Sequence, residues 1–220
     1  MRIHLRSRYV VACGLVVALA ITGIVWLLSR GAVQKPHVQT HPPEIKDVIS
    51  YSTSKPSQNP IQASSYVSTA RPMEPKYISL PSIAASGFIQ KVGIDQNGQI
   101  ATPNNVNLAA WYVNSVAPGQ PGLSIILGHV DGYTSPGIFI HLSKLKPGDH
   151  FTVQLGSGTL LTYDVIKVVA VSASNAVSTL FSQDPNIKSQ LNLVTCGGTF
   201  NSATKSYAER VVVDAALINQ

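Results

Sequence analysis

From about residue 77 onward, short runs of apolar and β-branched residues are separated by turn-forming residues. Alternation of apolar and polar positions over four to eight residues predicts strands. Many short strands with turns between them, and no strand–helix–strand rhythm, favour a closed barrel or a sandwich. The segments predicted as strands are 77–80, 87–94, 124–130, 151–155, 159–171, 191–196 and 210–218.

Glycine and polar residues mark the connections between these strands. Asp95-Gln96-Asn97-Gly98 predicts a tight turn, and Gly156-Ser157-Gly158 predicts a hairpin between the strands on either side. The segment 175–182 is predicted as one short helix, and the apolar patch 108–112 as a helical turn.

The first thirty residues have the pattern of a membrane anchor. Residues 9–29 carry no charge, and a run of about twenty such residues is long enough to cross a bilayer as a helix. Arg2, Arg6 and Arg8 precede the run, which predicts a cytoplasmic tail at 1–8 and export of the rest of the chain. A cleaved signal peptide is the alternative, but the run exceeds the usual apolar core and no A-x-A site follows it.

Residues 30–76 are rich in Pro, Ser, Thr, Gln and Lys and poor in bulky apolar residues. Such a composition buries too little surface to fold alone, so it predicts a flexible, disordered stalk. The folded domain is then predicted to span 77–220. A length near 140 residues is enough for one hydrophobic core.

The net charge of +6 belongs to the N-terminal part of the chain. From residue 77 onward, seven Lys and Arg residues are balanced by seven Asp and Glu residues. The folded part therefore has no basic excess for binding nucleic acid. It also has no CxxC pair, no phosphate-binding glycine loop and no cluster of acids, so no cofactor and no metal is predicted.

The strand that contains the second cysteine carries the main chemical signal. Leu191-Asn192-Leu193-Val194-Thr195-Cys196 reads as a buried strand that stops at Gly197-Gly198, because glycine tolerates turn geometry. The thiol is thus predicted at a strand end. Cys196 is the only cysteine of the exported part, and an unpaired exported cysteine is a structural residue, an intermolecular partner or a reactive thiol.

Two further polar residues are predicted at strand ends. His129 ends the run Ser124-Ile125-Ile126-Leu127-Gly128-His129, where a histidine has a fixed position and a pKa near neutrality, as a general base or acid requires. Arg210 opens the strand 210–217, where its guanidinium can stabilise a developing oxyanion. Each residue alone also fits a structural role, but a thiol, an imidazole and a guanidinium together fit nucleophilic catalysis.

These residues and motifs resemble the sortases, the membrane-anchored cysteine transpeptidases of Gram-positive cell surfaces. The resemblance rests on Gly128-His129-Val130-Asp131, on Leu193-Val194-Thr195-Cys196 with Gly197-Gly198, and on Arg210 before Val211-Val212-Val213. The spacings of about 67 and 14 residues also fit the family. The G-H-V-D and T-C-G-G forms are most similar to class F sortases. The chain departs from the class F pattern at Tyr207-Ala208-Glu209-Arg210, where related class F chains often have a Tyr-x-x-Asn run. Glu209 there either pairs with Arg210 or faces solvent.

The resemblance implies a mainly β fold, a sortase-type closed eight-stranded β-barrel with short helices. It implies that Cys196 cleaves an LPxTG-like sorting signal at the Thr–Gly bond and forms a thioacyl enzyme, with His129 as acid and base and Arg210 holding the oxyanion. It further implies that Thr195 orients the substrate. Asp131, two residues past His129, either biases the imidazole as a neighbouring carboxylate or caps its own loop.

The implied partners are an LPxTG-type surface protein and an amine acceptor such as lipid II or a pilin lysine. The implied location is the cell membrane, with a single pass through residues 9–29 and an extracytoplasmic catalytic domain. Two other functions stay open at this point. One is a hydrolytic cysteine peptidase on the same fold, and the other is a non-catalytic surface-binding module.

Overall fold

The computed structural model describes residues 45–46, 49–51 and 55–219. Its strands are β1 Ile45–Lys46, β2 Tyr66–Val67, β3 Pro75–Leu80, β4 Ala85–Val92, β5 Ala109–Tyr112, β6 Gly122–Gly128, β7 His150–Leu155, β8 Leu160–Ser172, β9 Ser189–Asn201 and β10 Ser206–Asn219. In the described ranges, the helical elements are α1, Ala176–Leu180, and two 3₁₀ turns, Pro81–Ile83 and Leu142–Lys144.

Eight strands, β3 to β10, close into a barrel in the order β10-β8-β7-β3-β4-β5-β6-β9. The ring is completed by the antiparallel pairing of β9 with β10. Most neighbours are antiparallel, whereas β5 runs parallel to β4 and β9 runs parallel to β6. The predicted fold, a mainly β closed eight-stranded barrel with short helices, is confirmed.

The core of the barrel is built by alternate residues of its strands. On β7, for example, Phe151, Val153 and Leu155 are buried while the residues between them are half-buried. The ring of Phe151 stacks on that of Tyr163 from β8, with centroids 5.5 Å apart. All eight strands contribute to this one cluster, so the barrel is filled by side chains.

Strand β5 replaces the predicted helical turn at 108–112. Its four residues Ala109–Tyr112 are all buried, and the strand pairs with β4 on one side and β6 on the other. A strand that is buried on both faces lacks the alternation that distinguishes strands from helices. The prediction was wrong for that reason.

The two glycines after Cys196 do not end the strand. β9 continues to Asn201 across a bulge, because Tyr207 pairs with Phe200 whereas Glu209 pairs with Gly197. Gly198 adopts a φ of +71°, and a Cβ there would lie 2.9 Å from the side chain of Glu209. Glycine therefore permits a bulge rather than a stop.

The prediction that Cys196 and Arg210 lie at strand ends was wrong, because both strands continue across this bulge. β10 begins at Ser206, four residues before Arg210, and both Cys196 and Arg210 lie inside their strands. Only His129 has the predicted position, since it follows the last residue of β6 directly.

Part of the predicted flexible stalk, residues 30–76, packs on the barrel. Tyr66 is 7% exposed and stacks on Phe88 of β4, with ring centroids 4.3 Å apart. The backbone of Ser50 exchanges hydrogen bonds with Lys91 and Gly93 at the end of β4. In the described part of this range, packing therefore starts well before residue 77.

The predicted membrane anchor at 9–29 and the predicted tail at 1–8 lie outside the described residues. Within the residues that are described, no helix has the length and apolarity needed to span a bilayer.

Glu74, also from the predicted stalk, is a buried anchor on the barrel with 5% exposure. Its carboxylate accepts bonds from the backbone N–H and the Nε of Arg71 at 2.9 and 2.6 Å, and it pairs with Lys91 Nζ at 3.2 Å. Burial disfavours the charged form, but the donors from Arg71 and Lys91 outweigh it, so the pKa of Glu74 lies below its ordinary value.

We expect Glu74→Ala to lower the free energy of unfolding by about 2 kcal/mol at pH 7, because hydrogen bonds to a buried charge are lost. Since the pKa of Glu74 is depressed in the folded state, this stabilisation is fully present at pH values above the ordinary pKa of 4.5. It is lost as the pH falls through the lower pKa of the folded state.

Urea unfolding of the full-length protein at pH 7 and near pH 3 measures the effect. The difference between wild type and Glu74→Ala should shrink at the lower pH. Glu209→Ala, which removes an exposed carboxylate, is the control. An equal loss in both variants at pH 7 would contradict the assignment.

Candidate active site

Three neighbouring strands of the barrel carry the predicted catalytic residues. β6 and β9 are parallel, with Leu127 paired to Val194. Two residues further along each chain, His129 is therefore level with Cys196. β9 and β10 are antiparallel, and Arg210 is paired directly with Cys196. Adjacent strands lie about 4.8 Å apart, so the three residues form one row across the barrel wall.

Cys196 and Arg210 lie on the outer face of the barrel. Residues directly opposite each other in an antiparallel pair share a face. Residues of the same parity, such as Val194 and Val212, belong to a second apolar cluster that lines the outside of β4, β5, β6, β9 and β10. Residues of the other parity, such as Leu193 and Val211, belong to the interior core.

Thr195 points the opposite way from Cys196 and joins the two strands that carry the thiol and the imidazole. Its side-chain hydroxyl donates to the backbone carbonyl of Gly128 at 2.8 Å, and the residue is 4% exposed. Gly128 immediately precedes His129. The hydroxyl proton is thus committed within the protein, and any effect of Thr195 on a substrate passes through the position of its neighbours.

The imidazole of His129 is held by a backbone carbonyl from the chain between β4 and β5. Its Nε2 lies 2.8 Å from the carbonyl oxygen of Pro103. A carbonyl only accepts, so Nε2 carries the proton and Nδ1 is left for proton exchange. Burial lowers the pKa of His129, although the Pro103 carbonyl and the charge of Asp131 oppose that shift.

The thiol of Cys196 is free and half-buried. Burial raises its pKa above the ordinary value, the positive charge of Arg210 acts to lower it, and the negative charge of Asp131 acts to raise it further. A lowered imidazole pKa and a raised thiol pKa favour the neutral pair at rest. The thiolate–imidazolium form is therefore a minority of the resting protein.

Arg210 is anchored by backbone carbonyls rather than by an acid. Its Nη1 donates to the carbonyl oxygens of Tyr207 at 3.1 Å and Glu209 at 2.8 Å. The side chain of Glu209 faces solvent, and among the described residues it forms no ion pair with Arg210. An ion pair with Glu209 therefore does not offset the charge of the guanidinium beside the thiol.

Asp131 has a partner that the sequence did not indicate. The phenol of Tyr207, on β10, donates a short hydrogen bond to the Asp131 carboxylate. Burial and this carboxylate raise the pKa of Tyr207 to about 12, so the phenol keeps its proton. Tyr207 thereby joins the loop after His129 to the strand of Arg210, whose guanidinium also uses the Tyr207 carbonyl.

The structure thus brings Cys196, His129, Arg210, Thr195 and Asp131 to one place on the barrel wall. Sequence reasoning missed two features, the Pro103 carbonyl and the role of Tyr207. No sequence signal marks the carbonyl, because every residue has a backbone carbonyl. Within the described residues, no three His, Cys, Asp or Glu side chains cluster as metal ligands would. A nucleophile, a proton carrier and a fixed cation are the parts that acyl transfer requires.

Comparison with known proteins identifies the fold. The family model described as "Sortase domain" matches residues 78–218. Among solved structures, the lid mutant of sortase A from Corynebacterium diphtheriae has a TM-score of 0.51 and 25% identity, covering 69% of this chain and 74% of that one.

A second similar structure is the complex of Streptococcus agalactiae sortase C1 with MTSET. It has a TM-score of 0.50 and 16% identity, covering 66% of this chain and 67% of that one, and supports the fold alone. A search of curated protein sequences found no match. Because the family model covers more than half of the sequence and includes every residue of the row described above, the chain belongs to the sortase family of cysteine transpeptidases.

Proposed function

We propose that this protein is a membrane-anchored sortase that cleaves an LPxTG-like sorting signal between Thr and Gly and joins the released protein to an amine. The observation that carries the proposal is the row formed by His129, Cys196 and Arg210 on three adjacent strands. The apolar run 9–29 supports a single membrane pass with an extracytoplasmic domain, and the G-H-V-D and T-C-G-G motifs support class F.

The first half of the reaction is acylation of Cys196. The thiolate sulfur attacks the carbonyl carbon of the Thr residue, and the carbonyl oxygen becomes an oxyanion. Imidazolium His129 gives its proton to the leaving Gly nitrogen as the C–N bond breaks. A thioacyl enzyme and a free amine result, and His129 is left neutral.

The second half transfers the acyl group to a new amine, such as that of lipid II or a pilin lysine. Neutral His129 accepts a proton from the incoming nitrogen as it attacks the thioester. The C–S bond then breaks, which restores the thiolate and the imidazolium. Proton movements in the two halves are the reverse of each other, so one histidine serves both.

Arg210 stabilises the oxyanion in each half. Its charge lies beside the thiol, and the carbonyls of Tyr207 and Glu209 fix the guanidinium in advance. A donor that is already oriented needs no reorganisation as the charge develops.

A peptide assay on the full-length protein tests the proposal. With a quenched LPxTG peptide we expect cleavage, and with added triglycine we expect a ligated product in mass spectra. Cys196→Ala should abolish both. Arg210→Ala should lower kcat by about 10² to 10³, because an oxyanion donor is lost, while Arg210→Lys should lose less because the charge remains.

The outcomes of this assay separate the alternatives. Release of a free acid with no ligated product would favour the hydrolytic peptidase. Full activity of Cys196→Ala would overturn the mechanism.

The dependence of activity on pH should be bell-shaped. The active form needs imidazolium and thiolate together, so the rate rises through the lower macroscopic pKa and falls through the higher one. Burial places the acid limb below the ordinary imidazole value of 6.5 and the alkaline limb above the ordinary thiol value of 9.0. A rate that does not fall below pH 6.5, or does not fall above pH 9.0, would contradict this arrangement.

Asp131→Asn should move both limbs of the bell to lower pH. The Asp131 charge acts to raise the pKa of His129 and of Cys196, so its removal lowers both. Asp131→Glu keeps the charge and is the matched control. The measurement is kcat/KM against pH for the three proteins, and a shift of the two limbs in opposite directions would rule out this role of Asp131.

A further inference from the structure

A short part of the chain before the barrel, residues 55–59, lies against the loop that follows His129. The side-chain amide oxygen of Gln58 faces four donors in that loop. They are the backbone N–H groups of Thr134 and Ser135 at 2.6 and 3.2 Å, and their hydroxyls at 3.2 and 3.4 Å. One side chain thus satisfies two backbone groups of a loop that begins two residues after the imidazole.

The loop is shaped to receive this amide. Gly132 lacks the side chain that would fill the place, since a Cβ there would lie 2.5 Å from Gln58 Oε1. The loop also closes on itself, with Gly132 N–H donating to the Ser135 carbonyl at 2.7 Å. On its outer side, the ammonium of Lys55 lies 4.2 Å from the centre of the Tyr133 ring.

The same segment also holds the loop that contains Pro103. Ser57 N–H donates to the Asn104 carbonyl at 2.7 Å, and the Ser57 carbonyl accepts from Val106 N–H at 2.9 Å. The Asn59 carbonyl accepts from the Asn105 amide at 3.0 Å. Asn104 follows Pro103, whose carbonyl holds the imidazole.

Both loops that fix His129 are therefore tied to one five-residue segment. Asp131 belongs to one of these loops and the Pro103 carbonyl to the other. A displacement of about 1 Å at a reacting group costs up to about 10²-fold in rate, so the attachment of these loops matters to catalysis.

We propose that Gln58 is a positioning residue: from residues 55–59, its amide oxygen holds the loop after His129 and so fixes the imidazole relative to the Cys196 thiol. The catalytic unit then includes chain that precedes the barrel. The inference rests on the proposed role of His129 in acyl transfer.

The chemistry of the contact supplies a matched pair of variants. Gln58 contacts Thr134 and Ser135 through its acceptor oxygen, so Gln58→Glu retains this contact and Gln58→Leu removes it at nearly the same volume. In the full-length protein, we expect Gln58→Leu to lower kcat for the LPxTG peptide about tenfold, with KM and the melting temperature nearly unchanged. Gln58→Glu should retain most of the activity.

A second variant approaches the contact from the loop. Gly132→Ala places a methyl group where the Gln58 amide lies and should lower kcat to a similar extent. Because both changes act on one contact, the double variant should be no slower than either single variant. Additive losses would show that the two positions act independently and would overturn the proposal.

A substrate-free measurement separates this inference from the proposed function. The rate of Cys196 alkylation by iodoacetamide, followed by mass spectrometry, reports the thiolate that a nearby imidazolium stabilises. The alkylation rate of Gln58→Leu should fall toward that of His129→Ala, whereas the rate of Gln58→Glu should remain near that of wild type. If wild type cleaves no LPxTG peptide, the proposed function fails and the alkylation series still decides the role of Gln58.

The proposal is overturned if Gln58→Leu matches wild type in alkylation. It is also overturned if Gln58→Glu fails as Gln58→Leu does, or if the loss follows a fall in the melting temperature, because the contact would then contribute only to stability.

Discussion

The arrangement of the site depends on the backbone register of β9. This strand is hydrogen-bonded on both sides, parallel to β6 and antiparallel to β10, and the two registers together align His129, Cys196 and Arg210. A slip by one residue would turn the thiol into the interior and Thr195 outward. The buried hydrogen bond from Thr195 to the Gly128 carbonyl opposes such a slip, because the slip would break this bond and leave its buried polar groups without partners.

The position of the site on the outer face follows from the filled core. The barrel interior is packed by side chains from all eight strands and leaves no room for a peptide. Outward-facing residues remain available, and the bulge at Gly198 changes the twist just beyond the thiol. Tyr207 and Glu209, the two residues that flank this bulge on β10, are the ones whose backbone carbonyls accept from the guanidinium of Arg210. Two glycines that the sequence marks as a strand end thus shape the pairing of β9 with β10 beside Arg210.

The sequence predicts those parts of the molecule that rest on local pattern. Strands with one buried face, such as β7, show alternation, and the hairpin between β7 and β8 has its turn residues. β5 could not be predicted, because burial on both faces removes the alternation. The chemical types at the site were readable as well, but the pairing of Tyr207 with Asp131 joins residues 76 positions apart and leaves no local pattern.

The predicted stalk shows what an argument from composition alone leaves out. A segment poor in apolar residues cannot bury enough surface to fold by itself, and that argument holds for residues 55–59. It does not consider loops elsewhere in the chain that offer unpaired backbone groups. Here the polar segment supplies acceptors and donors to two such loops, and its own backbone groups are paired in return. Residues 55–59 and the two barrel loops therefore hold each other in place through these hydrogen bonds.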